Sequence, residues 1–106
     1  MNNFLVIGHR GASGYEPENT LRSFEQALQL GCSWIELDVH VVDDQIVVIH
    51  DDDLSRTTNG FGLVSTSSFK YLRSLDAGKG EQVPTLQEVM ELIGQRCSCL
   101  LYTSDA

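Results

Sequence analysis

Apolar residues in this chain come in short blocks set between glycines and polar turns. Phe4-Leu5-Val6-Ile7 is an unbroken apolar run that stops at Gly8, the pattern of a strand buried on both faces of a parallel sheet. Gly11, Ser13, Gly14 and Pro17 then mark a loop. From Leu21 the spacing becomes helical through Phe24, Ala27 and Leu28, with Asn19 or Thr20 to cap the start and Gly31 to end it. Trp34 to Val39 reads as a second strand in which acids alternate with apolar residues, so Glu36 and Asp38 share a face. Asp43-Asp44 marks a turn, and Ile46 to Ile49 forms a third strand that delivers His50 and Asp51 at its end.

Leu54 to Ser68 is rich in Ser, Thr, Asn and Gly and reads as an excursion loop, followed by a short helix carrying Phe69, Leu72 and Leu75. Thr85 and Glu88 form a capping box after Pro84; Leu86, Val89, Met90 and Ile93 share one helical face, and Gly94 ends it. The order β-α-β-(β)-α predicts a parallel sheet covered by helices with right-handed crossovers. A closed (β/α)₈ barrel needs about 250 residues. The 106 residues supply two βα units and a fraction of a third, so the fold is either a small open α/β sheet or a piece of something larger. An open parallel sheet leaves an unpaired edge, so association and little activity are expected of the chain by itself.

Composition narrows the function. At 42% hydrophobic residues the chain is globular, and no apolar run approaches the roughly 18 residues of a membrane span. Met1 to Gly8 has no basic n-region, so no secretory signal is expected. Cys32, Cys97 and Cys99 follow no zinc spacing and are odd in number, which points to reduced thiols in a cytoplasmic protein. The chain has 15 acidic and 7 basic residues, a net charge of −8. Seven acids (Glu36, Asp38, Asp43, Asp44, Asp51, Asp52, Asp53) fall between 36 and 53 with no Lys or Arg among them. This local pool, which also contains His40 and His50, reads as a cation site and argues against nucleic-acid binding.

Three motifs carry the candidate chemistry: His9-Arg10-Gly11, Glu36-Leu37-Asp38 and His50-Asp51. Each lies on a strand or at its C-terminal end, where active sites of α/β folds collect. Taken singly they have plain readings: a loop histidine, a solvated strand face, a surface arginine. Together they suggest more. Two imidazoles can serve as general acid and general base near neutral pH. Two carboxylates on a face shared with Trp34 need a neutralising cation, and hard oxygens favour Mg²⁺ or Ca²⁺ over zinc. Arg10 beside them is a natural phosphate ligand. The set suggests phosphoester hydrolysis at a metal.

The segments HRGASGYEPENT (9–20), WIELDVH (34–40), VVIHDDDLSRTTNG (47–60), LRSLDAG (72–78) and VPTLQEV (83–89) resemble, in order and spacing, the N-terminal part of the glycerophosphodiester phosphodiesterase family. The resemblance covers about residues 4–94. It implies a truncated TIM (β/α)₈ barrel over residues 1–95, with 54–82 as a small insertion-like region. It implies Glu36 and Asp38 as metal ligands, His9 and His50 as the acid/base pair and Arg10 as a phosphate contact. It also implies hydrolysis of small glycerophosphodiesters to glycerol 3-phosphate and an alcohol. His40 reads as support for its neighbours, Glu18 as a residue that orients its loop, and Asp51 as one that holds the loop after His50. The family carries a third metal-binding Glu on the strand after the Thr85 helix. Here Cys97 to Thr103 occupies that place, so residues 96–106 are expected to be a non-native tail. Two alternatives remain open: a related phospholipid-headgroup phosphodiesterase, and a non-catalytic cation-binding α/β fragment.

Overall fold

The computed structural model describes residues 7–103; Phe4 to Val6 of the first expected strand lie outside them. Eight elements follow in order: strand β1 (Ile7–His9), helix α1 (Leu21–Gln29), β2 (Trp34–Val42), β3 (Gln45–Val48), a 3-10 turn (Val64–Thr66), α2 (Phe69–Ser74), α3 (Leu86–Ile93) and β4 (Ser98–Thr103). The helix starts are where the polar residues place them. Thr20, not Asn19, caps α1, and its side chain and that of Ser23 each accept the other's backbone N–H. Thr85 and Glu88 close the same box on α3.

β2 is the centre of the sheet. β1 and β4 run parallel to it and both pair with Trp34 to Glu36, so they take its opposite edges. β3 departs from the expected parallel arrangement: it returns antiparallel along the end of β2, with His40 opposite Val47 and Val42 opposite Gln45. The reason is the two-residue turn. Asp43 and Asp44 have φ of 50° and 61°, a hairpin geometry that can only reverse the chain, whereas a parallel partner needs a long crossover. β2 therefore runs to Val42, beyond the expected Val39.

Alternation along β2 divides the molecule. Ile35, Leu37 and Val39 face the helices, where they pack with Phe24, Ala27, Val89 and Ile93 in a buried core. Glu36, Asp38 and His40 take the other face. A second core lies under the excursion: Val47, Ile49, Leu54, Val64, Leu72 and Val83 are all buried together. The stretch between β3 and α3 thus has its own apolar interior, which fixes the segment just beyond His50.

Candidate active site

β1 ends at His9, whose register partner on β2 is Glu36. Their side chains lie side by side, with His9 Nε2 4.0 Å from Glu36 Oε2. The chain then turns sharply: Arg10 has φ of 52° and Gly11 80°. In this turn the Arg10 backbone N–H donates to Glu36 Oε1 at 3.1 Å. The Arg10 guanidinium folds back, its Nε 3.5 Å from Asp38 Oδ2 and its Nη1 3.3 Å from Glu18 Oε2. Four of the five expected residues, His9, Arg10, Glu36 and Asp38, are therefore gathered at one rim by the pairing of β1 with β2.

His50 reaches the same region by another route. Ile49 N–H donates to the Asp38 carbonyl at 2.9 Å, which draws the end of the hairpin along β2. His40 Nε2 lies 3.1 Å from the His50 carbonyl oxygen, so the buried His40 ring holds the backbone of His50. A cavity of about 330 Å³ lies between Asp38, His40, His50, Tyr102 and Thr103. His9, Arg10 and Glu36 do not line it. His9 thus lies beside Glu36 and His50 shares a cavity with Asp38, both with exposed side chains (63% for His9 and 42% for His50).

Among the described residues no three His, Cys, Asp or Glu side chains come close enough to form a metal site by themselves. On β4, Tyr102 is the register partner of Asp38. Two buried polar atoms next to Asp38 nevertheless lack hydrogen-bond partners: Arg10 Nε and Asn19 Oδ1. Asn19 Nδ2 donates to Asp38 Oδ2 at 3.1 Å, so the orphaned amide oxygen sits beside the carboxylate. A buried acceptor without a donor is costly, and a hard cation or its water satisfies one. Glu36, Asp38 and Asn19 fit as the oxygen-donating part of such a shell.

Two residues at the site carried no functional expectation. Asn19 entered only as a helix cap, yet its φ of 55° and its bond to Asp38 make it part of the rim. Arg56 lies in the excursion and grips Glu18 and Asp51 together. Hydrogen bonds from Arg56 first and His50 second hold the Asp51 carboxyl at about 2. Burial pushes the Glu18 carboxyl up, but the Arg56 and Arg10 guanidiniums outweigh it and the net shift is downward. The sequence did carry a signal for Arg56: it is the first base after seven acids that have none among them.

The model of the glycerophosphoryl diester phosphodiesterase family matches residues 9–100. A glycerophosphodiester phosphodiesterase from Caldanaerobacter subterraneus subsp. tengcongensis is 48% identical over 100 residues, which is 87% of this chain and 41% of that protein. A phosphodiesterase from Oleispira antarctica, solved in complex with its product sn-glycerol-3-phosphate, superposes with a TM-score of 0.90 at 43% identity, covering 95% of this chain and 44% of that one. A glycerophosphodiester phosphodiesterase from Agrobacterium tumefaciens does so with a TM-score of 0.88 at 39% identity, over 92% and 46%. The chain spans less than half the length of the relatives it matches. Its fold is that of the N-terminal portion of their TIM barrel, and the chain belongs to the glycerophosphoryl diester phosphodiesterase family.

Proposed function

We propose that the protein carrying this sequence hydrolyses small glycerophosphodiesters to glycerol 3-phosphate and an alcohol. The observation that carries the reading is the convergence of Arg10, Glu36 and Asp38 at one rim, with His9 beside Glu36 and His50 sharing a cavity with Asp38. Metal dependence is a general trait of the family. A divalent cation, Mg²⁺ or Ca²⁺, held by Glu36 and Asp38 offsets negative charge on the phosphate when bound. Arg10 offers a planar fork for the phosphate oxygens. One of His9 and His50 takes the proton from the attacking water; the other gives a proton to the oxygen that leaves as the P–O bond breaks. Asn19 and Glu18 hold Arg10 and Asp38 in place for this. The three free thiols support a cytoplasmic location.

The test is turnover of glycerophosphocholine and glycerophosphoethanolamine by the protein at its natural length. Replacing His9 or His50 with Ala is expected to lower turnover by about 10²–10⁴-fold. A loss below about tenfold for both overturns the acid/base roles. Preference for intact lipid vesicles over the soluble diesters identifies a phospholipid-headgroup enzyme instead. A second reading, a cation-binding module without catalysis, is favoured by the lack of a third clustered carboxylate among the described residues. Calorimetry with Mg²⁺ and Ca²⁺ showing binding without turnover selects it.

A further inference from the structure

Arg56 ties its own segment of the rim to Glu18, 38 residues away in sequence. Its Nε donates to Asp51 Oδ2 at 2.6 Å and its Nη2 to Asp51 Oδ1 at 3.1 Å. Its Nη1 and Nη2 donate to the two oxygens of Glu18 at 2.9 and 2.8 Å. All three nitrogens are thus engaged with carboxylates. A guanidinium committed in this way is not presented to a phosphate, so Arg56 cannot double the role proposed for Arg10.

What it does instead follows from the next contacts. Asp51 Oδ1 lies 2.7 Å from His50 Nδ1. A carboxylate on Nδ1 fixes both the tautomer and the plane of an imidazole and leaves Nε2 for proton transfer. On the other side, Glu18 accepts from Arg10 Nη1 at 3.4 and 3.3 Å, and Arg10 lies against Asp38. Charges therefore alternate without a break along Asp38, Arg10, Glu18, Arg56 and Asp51, and Asp51 meets the His50 ring. In this series Arg56 is the link between the segment that carries the histidine and the loop that carries the phosphate ligand. Lys could not replace it, because only a planar fork meets two carboxylates bidentately.

We propose that Arg56 is a positioning residue: by clamping Asp51 to Glu18 it fixes the ring of His50 relative to the guanidinium of Arg10. The activity part of this inference rests on the hydrolase reading above; the positioning part does not. Exposed ion pairs contribute little to folding, and Arg56 is exposed, so its loss shifts geometry more than stability.

The experiment uses R56Q, R56K and D51N in the protein at its natural length. Two-dimensional NMR of the imidazole groups reads the ring directly. The hydrogen-bonded Nδ1 proton of His50 is expected to disappear in R56Q and D51N, with the His40 signal unchanged. In steady-state assays with glycerophosphocholine, R56Q is expected to lower kcat by about 10–100-fold with little change in KM. R56K should recover only part of that loss. In an H50Q background, R56Q should cost less than about threefold, because the ring it positions is gone. An equal loss in both backgrounds, a rise in KM alone, or a His50 signal untouched by R56Q overturns the proposal. Wild-type protein with the Arg56-dependent His50 signal but no diester turnover overturns the hydrolase reading and leaves the positioning role standing.

Discussion

A side chain at Gly11 would collide with α1. A Cβ there would lie 2.4 Å from Ser23 Oγ and 2.8 Å from the Ser23 carbonyl carbon, on a backbone with φ of 80°. The same Ser23 hydroxyl donates to the Arg10 carbonyl at 3.1 Å, and the Asn19 N–H donates to that carbonyl at 2.9 Å. These two bonds hold Arg10 in a left-handed conformation that a non-glycine residue adopts only when its surroundings impose it. Strain at a residue that also touches Glu36, Asp38 and Glu18 fits a role in the site. Gly11→Ala is expected to cost about 2–4 kcal/mol in urea unfolding, from the clash and the φ together. Gly14→Ala, in the same loop with nothing within 4 Å of its Cβ position, should change stability by less than about 0.5 kcal/mol. Equal effects would show that the Gly11 turn is not fixed by Ser23.

The elements are joined by caps and charged side chains as much as by apolar contact. Glu88 Oε1 accepts from the Thr85 N–H at 2.9 Å and from Arg73 Nη1 at 2.7 Å, so the box that starts α3 also ties it to α2. Thr85→Ala is expected to lower stability by about 1 kcal/mol, read by the same unfolding assay. The excursion after β3 is expected to depend on pH through Asp51. Its carboxyl is held at about 2 against an ordinary 3.8, by Arg56 first and His50 second, with burial opposing. A lowered carboxylate stabilises the fold where it is ionised. Its contribution is complete above the unfolded value and is lost as pH falls through the folded one. The Tm gap between wild type and R56Q should therefore be steady above about pH 5 and close as pH falls from about 4 towards 2. A gap that persists unchanged at pH 2 would show that Asp51 does not carry it.

At the scale of the molecule the sheet is uneven in its protection. The outer side of β3 is covered, since Val48 N–H donates to the Pro84 carbonyl at 2.8 Å and Val47 bridges Thr85. Among the described residues β1 and β4 pair only with β2, so each has one side without a strand partner. Both also carry partly exposed apolar residues: Ile7 and Leu101 are each 45% exposed and Tyr102 is 56%. Unpaired parallel edges with apolar flanks recruit other chains. This chain by itself is expected to associate, with a concentration-dependent elution volume and broad thermal unfolding. A monomer that unfolds sharply across a wide concentration range would refute this.

Read residue by residue, the chain announced most of its elements. Turn chemistry is local, so Asp43-Asp44, the Thr85–Glu88 box and the glycines after β1 mark their own positions. The alternation in Trp34 to Val39 put Glu36 and Asp38 on one face because a strand's period is a property of its backbone. HRGA, ELD and HD stood out because each lies on an apolar strand or at its C-terminal end. What the sequence could not decide was pairing. That β3 turns back on β2, and that Asn19 bonds to Asp38 across 19 residues, depends on where distant segments come to rest. The Arg56 clamp is the clearest case. An arginine in a polar loop looks the same whether it faces water or two carboxylates. Only the apolar core beneath the excursion, built from Leu54, Val64, Leu72 and their neighbours, brings it to Glu18, because burial of that core sets where the loop can lie.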